Sequence, residues 1–192
     1  MNNTTNFSYI GRKNVINLGS EVLFREAEDD FFYFNKINAA LKKLEEAVRL
    51  TPSHTKSLMM CADICFVKGN IKKALITYQN AYVYGQSSAR CIAAISNCYY
   101  SLKDYEQALV WVDKAINALD REDYSLYSQL IEIKINTLVE MKRYKQAYVV
   151  FIQSQNMLDV ISLKNIYNSN YELINEKLQL QKKLRTSRLQ IV

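Results

Sequence analysis

Four cysteines, one histidine and two adjacent pairs of carboxylates are the residues of this 192-residue chain that could carry chemistry. Cys61 and Cys65 are four apart, which puts both thiols on one face of a helix, where a metal ion could bridge them. Cys91 and Cys98 complete the set, with no Cys-x2-Cys pair anywhere. His54 stands alone, just after Pro52. Cys61 and Cys65 also fall at apolar positions of a helical pattern, where a small buried residue is expected. The thiols therefore read as reduced core residues, with no metal. Asp29-Asp30 and Glu45-Glu46 read as solvated helix faces. No phosphate loop, Gly-x-Gly-x-x-Gly or nucleophile elbow occurs, and a convergent acid, base and nucleophile are what an enzyme needs. The expectation is a non-catalytic chain without a cofactor.

The elements that must position these residues are helices. From Thr55 to Ser88, apolar residues recur at helix spacing, first as Leu58, Cys61, Ala62 and Cys65, then as Ile71, Ala74, Leu75, Tyr78, Ala81 and Tyr82. Gly69-Asn70 separates the two runs and suits a left-handed helix end, because glycine carries no Cβ penalty there. The stretch is a helical hairpin with one uncovered apolar stripe per helix, so it needs neighbours. They are present: Lys73-Ala74-Leu75 recurs as Ala39-Ala40-Leu41, Gln107-Ala108-Leu109 and Gln146-Ala147-Tyr148. The alanines are 34, 34 and 39 residues apart, a repeat array with one insertion of five.

That period resembles the tetratricopeptide repeat, a 34-residue unit with W-x2-L-G-x2-Y, A-x3-F and P signals. The second repeat matches at Leu58, Cys61, Ala62, Cys65, Ala74, Tyr78 and Ala81. The third matches at Ile92, Ile95, Ser96, Tyr99, Tyr105, Ala108, Val112 and Ala115. The first carries Phe24, Ala27, Phe31, Ala40, Leu44, Ala47 and Pro52, and the fourth Ile131, Lys134, Leu138, Tyr144, Ala147 and Phe151. The motif tryptophan is replaced throughout by Phe, Leu or Ile. Its glycine is replaced by Glu28, Ala62, Ser96 and Ile135, so repeats one and four are expected to depart from the pattern. The resemblance covers about Ser20 to Ile161 and implies an all-α, right-handed solenoid of four hairpins with a C-terminal capping helix. The repeats run at 21–54, 55–88, 89–122 and 128–161, preceded by a polar arm (1–19) and followed by the capping helix and a basic tail (162–192).

Local signals refine this. Ser20 can cap the first helix, with Glu21 favourable in its first turn. The second helix runs from about Lys36 to Leu50 and closes at Thr51-Pro52. The insertion lies within LDREDYSLYSQ, where Asp120 or Asp123 can cap, and one added helical turn accommodates it. Ile166, Leu173 and Ile174 mark the capping helix, which covers the open end of the array. No run is long enough to span a membrane. The first residues lack an apolar signal-peptide core, so a cytoplasmic location is the default and the Asn-x-Ser/Thr matches at Asn3 and Asn6 carry little weight. Of the net charge of +6, +5 falls in 177–192, which holds Lys177, Lys182, Lys183, Arg185 and Arg188 and no acid.

In the resembled family, the stacked first helices line a concave groove. By that offset the groove residues here are Lys56, Met59, Asp63, Phe66, Arg90, Asn97, Tyr100, Glu132, Asn136 and Val139. The ninth residues of the four repeats, Asp29, Asp63, Asn97 and Asn136, form a ladder in which asparagine can both donate to and accept from a peptide backbone. They are equally what a solvated helix face would show. A carboxylate grip of Lys and Asn is not supported, since the fifth residues are Arg25, Met59, Ala93 and Glu132. The expected function is a protein–protein interaction module, an adaptor, scaffold or chaperone holding an extended peptide or helix. The alternative is a structural subunit, or self-association, through the second helices near Trp111 and Tyr148. Nucleic-acid or membrane-surface binding through the tail ranks below both.

Overall fold

Eight helices follow one another with short connections in the computed structural model, which describes residues 17–119, 123–154 and 172–179. They are α1 (Leu18–Phe32), α2 (Ile37–Leu50), α3 (Thr55–Val67), α4 (Ile71–Val83), α5 (Ala89–Ser101), α6 (Tyr105–Asn117), α7 (Tyr124–Glu140) and α8 (Tyr144–Ser154). A further helical stretch covers 172–179. Each helix packs on the next, most closely within the pairs α1–α2, α3–α4 and α5–α6, and α5 also touches α7. No helix among the described residues is long and apolar enough to cross a membrane.

The repeating alanines are where the two helices of a hairpin cross. Ala40, Ala74, Ala108 and Ala147 are all fully buried, as are Ala47, Ala81 and Ala115 seven residues further along the same helices. A larger side chain at these points would push the helices apart. Opposite them, Ala62 and Ser96 keep the first helix small-faced, and the Ser96 hydroxyl donates to the Ala108 carbonyl at 2.8 Å. Ile135 takes that place in the fourth hairpin, and α7–α8 is the loosest of the four pairs over the described residues. Glu28 has no such effect: α1–α2 packs as closely as α5–α6. The first hairpin departs from the others in its turn instead. Its first helix stops one residue early, and the Lys36 amide reaches back to the Asp30 carbonyl at 2.7 Å.

Two corrections apply at the N-terminus. Asn17, not Ser20, caps α1, its side-chain oxygen accepting from the Gly19 amide at 2.8 Å. Ser20 is instead buried within the helix, its hydroxyl 2.7 Å from that of Thr51. Leu18 and Gly19, placed in the arm by sequence, are thus the first helical residues; residues 1–16 lie outside the described part, as does all of the basic tail beyond Gln179. The insertion lengthens α7 to 17 residues against 13 in α3 and α5, close to one turn. Asp123 caps it, accepting from the Leu126 amide at 2.9 Å. In the terminal stretch 172–179, Ile174 is buried against Ile131, Ile135, Leu138, Ala147 and Phe151, with Leu178 beside it. Leu173 is exposed, and Ile166 lies outside the described residues.

Every hairpin turns through a left-handed residue at its fifteenth position: Asn35 (φ 50°), Gly69 (78°), Lys103 (63°) and Lys142 (57°). In three of them the following amide bonds back over five residues, Asn70 to Cys65, Asp104 to Tyr99 and Arg143 to Leu138. Only the second repeat uses glycine. A left-handed lysine carries a steric cost of about 1–2 kcal/mol, partly offset by the greater freedom glycine loses on folding. Lys103→Gly and Lys142→Gly are therefore expected to stabilise the fold by about 0.5–1 kcal/mol each. Gly69→Ala should destabilise it by a similar amount. Urea unfolding checks all three as shifts of midpoint at unchanged slope.

Candidate functional site

The first helices present a polar row and an apolar row when read at repeat positions. The ninth residues are Asp29, Asp63, Asn97 and Asn136, and the twelfth are Phe32, Phe66, Tyr100 and Val139. Helical spacing puts positions 2, 5, 9 and 12 on one stripe, so successive hairpins line up a polar row beside an apolar one.

The individual residues are held in different ways. Asn97 is half-buried, and its amide has no hydrogen-bond partner among the described residues. Asn136, one repeat on, is also half-buried and is engaged within the chain. Asp63 is exposed but committed, since it accepts the hydroxyl of buried Tyr78 from α4. That bond ties the Asp63 face of α3 to α4. Burial, with the Asp63 charge adding to it, keeps the Tyr78 hydroxyl protonated well above the usual tyrosine range. Met59 and Phe66 are half-buried and pack on the core shared by the first three hairpins. The Tyr100 ring lies 5.7 Å from that of Tyr105, whose hydroxyl donates to Glu140 at 3.4 Å. Burial first, then the Glu140 charge, raises the Tyr100 hydroxyl.

Three sequence-chosen residues, at positions 2 and 5 of this stripe, are charged and exposed. Lys56 is exposed, bonds to Glu21 at 3.2 Å and lies 5.7 Å over the Phe24 ring. Arg90 is exposed at the edge of the array, in a depression it shares with Ser88, Ala118, Asp123 and Leu126. Glu132 is exposed on α7. Sequence reasoning missed Phe32, which is 68% exposed at the head of the apolar row, and the exposed Val22, Tyr33 and Val67. The signal for Phe32 was present: it is one repeat before Phe66, but Phe31, its neighbour, holds the motif position and drew the assignment.

Sequence also gave no hint of the cluster that joins the first two repeats. His54 caps α3 and is almost fully buried. Its Nδ1 lies 2.7 Å from the Ser57 hydroxyl and accepts from the Ser57 amide, so Nε2 carries the hydrogen toward Glu21 at 3.1 Å. Glu21 also takes Lys56 and, at 3.7 Å, Arg25. Carboxylate, imidazole and hydroxyl in sequence have the makings of a catalytic chain. Ser57 is fully buried, however, and no substrate can reach its oxygen. The cysteines are likewise sequestered. Burial and the neighbouring Cys65 push the Cys61 thiol up to about 12, and burial pushes Cys91 to about 11 and Cys98 to about 12. A thiol so held stays protonated near neutrality.

No protein-family model matches the chain, and no curated protein matches its sequence. Solved structures do match its shape. A structure of YrrB, described as a TPR protein with an unusual peptide-binding site, superposes with a TM-score of 0.62 at 16% identity, over 81% of this chain and 78% of that one. MamA from Desulfovibrio magneticus RS-1 gives 0.67 at 9% identity over 90% and 98%. The Sgt2 TPR domain from Aspergillus fumigatus gives 0.56 at 16% identity over 70% and 87%. The chain therefore has the all-α tetratricopeptide-repeat fold.

Two measurements check the site description. Hydrogen bonds from His54 and then Lys56 hold the Glu21 carboxyl below its ordinary value of 4.5. A depressed carboxylate stabilises the fold above its unfolded pKa, and that contribution is lost as pH falls through the folded one. Thermal midpoints should fall below about pH 4.5, less steeply in Glu21→Gln, as scanning calorimetry will show. A disulfide reagent at mildly alkaline pH should label the four buried thiols only at the rate of unfolding.

Proposed function

We propose that the chain is a non-catalytic protein-interaction module, an adaptor, scaffold or chaperone. It holds an extended peptide or a helix of another protein against the first-helix face. One observation carries this reading: the apolar row Phe32, Phe66, Tyr100 and Val139 runs beside the polar row Asp29, Asp63, Asn97 and Asn136. The apolar row offers accessible ring and branched surface to a partner's side chains. Asparagine beside it can pair with backbone amide and carbonyl whatever the partner's sequence, the chemistry of strand-like or helix-in-groove capture. Met59 adds an adaptable apolar contact, and Lys56, Arg90 and Glu132 set charge at the margins of the bound segment. A cytoplasmic setting belongs to the same reading, since four buried free thiols suit a reducing compartment.

A second reading has its own observation. The twenty-second residues of repeats two to four, Ile76, Val110 and Val149, are 59%, 58% and 50% exposed on the second helices. An aliphatic stripe on the outer helices favours a structural subunit that docks into an assembly or onto its own copy. Light scattering on the purified chain separates the two: a monomer that binds peptide supports the groove, a concentration-dependent oligomer the stripe.

The groove reading is tested with peptides selected from a displayed random library on the intact chain. Asn97→Ala should weaken the selected peptides about tenfold while shifting the melting temperature little. Unchanged affinity in a calorimetric titration would remove the groove.

A further inference from the structure

The outer side of the array carries an unassigned cleft between α6 and α8, over α7. It encloses a cavity of ≈ 360 Å³, within the range of about 300–1,000 Å³ that takes ligand groups. Leu109, Leu138, Val149 and Val150 make its apolar wall.

The preceding junction shows what such a cleft holds in this fold. Between α4 and α6 the same place is filled by the chain itself. Trp111 lies stacked on Tyr99 with centroids 6.5 Å apart and edge-on to Tyr82 at 5.5 Å. The Gln79 amide donates to the Tyr99 hydroxyl at 3.0 Å, and Lys114 sits 4.7 Å over the indole. Moving 39 residues along the first and second helices converts Tyr99 to Leu138 and Trp111 to Val150. Moving 34 residues converts Gln79 to Asp113 and Leu75 to Leu109. Two aromatic side chains are thus replaced by smaller aliphatic ones at the corresponding cleft. At the first junction, by contrast, the equivalent residues are Cys65 and Thr77, and the Lys73–Glu45 pair at 2.7 Å spans the two second helices.

Charge narrows the occupant. Ile95, buried in the third repeat, becomes Lys134 in the fourth, and Lys134 pairs with Asp113 at 2.6 Å on the cleft wall. Arg143 and Lys145 stand at the same cleft. Glu106 approaches Arg143 only to 3.9 Å, and Lys145 has no ion-pair partner among the described residues. With Asp113 taken by Lys134, the cleft is left with a positive rim over an apolar wall.

We propose that this cleft is a docking pocket for an aromatic side chain, tryptophan above all, presented by a partner protein with an acidic residue beside it. The incoming ring takes the place that Trp111 fills one repeat earlier, and its acidic neighbour meets Lys145 and Arg143. The proposal rests on the second helices and stands or falls separately from the groove on the first helices.

The test is a methyl NMR titration of the full chain with a short blocked peptide carrying one tryptophan between aspartates. Shifts should centre on Leu109, Leu138, Val149 and Val150. Replacing the tryptophan of the peptide by alanine, or its aspartates by lysines, should weaken binding about tenfold. Val150→Trp should fill the cleft from within, as Trp111 does, and abolish the shifts in a chain that stays folded. Lys145→Glu, at an exposed site, keeps the question decidable if Val150→Trp folds poorly: it should weaken the aspartate peptide and strengthen the lysine one. Shifts confined to the first-helix rows, equal binding of the alanine peptide, or no shift at any peptide concentration reached would overturn the proposal.

Discussion

The close crossing of the two helices in each hairpin is the constraint on which the rest depends. Ala40, Ala74, Ala108 and Ala147 have no accessible surface at all. Nothing larger than a methyl group fits between the backbones there without moving them. With the crossing fixed, each hairpin becomes a rigid wedge with one apolar side facing the next wedge. That side cannot be covered from within, so neighbouring hairpins must stack to shield it. The three clusters of buried residues follow the stacking order, and the stretch 172–179 closes the last through Ile174. The surfaces proposed for binding are what stacking leaves over: one face of the first helices and one face of the second.

How far the sequence was legible depends on the range of the interaction. The alanine spacing, the Gly69-Asn70 turn, the extra turn in α7 and the apolar anchor at Ile174 are signals carried by neighbours in sequence or by the repeat period, and all could be read. The cap at Asn17 could not be separated from Ser20 by type alone, since both are good caps. What decided it was Thr51, 31 residues away from Ser20, which takes the Ser20 hydroxyl into the core. The left-handed turn residues were visible only where glycine announced one. Lys103 and Lys142 adopt that geometry because the hairpin demands it, and lysine gives no warning.

The candidate site was legible to the same degree. Counting along the period puts the polar row, Phe66 and Tyr100 on one helix face, because periodicity specifies which face a residue occupies. It could not say what a side chain is already bonded to. Asp63 is committed to Tyr78 and Lys56 to Glu21, so these groups serve the scaffold first. Asn97 and the exposed Asp29 are the polar rungs whose side chains are left without a partner among the described residues. The His54 cluster was invisible because its members lie on two repeats and become neighbours only by stacking. It shows how a constellation of reactive groups can be purely architectural once burial denies access to it.

The aromatic trio at the second junction has a further consequence. Trp111 is the chain's one tryptophan, and it bridges the second and third hairpins through Tyr82 and Tyr99. Ultraviolet emission excited at the indole therefore originates at the centre of the array and nowhere else. Fraying of either terminal hairpin would leave that emission unaltered while the helical ellipticity declines. Comparing the two optical signals makes the chain its own gauge of whether it melts as one body or peels from its ends.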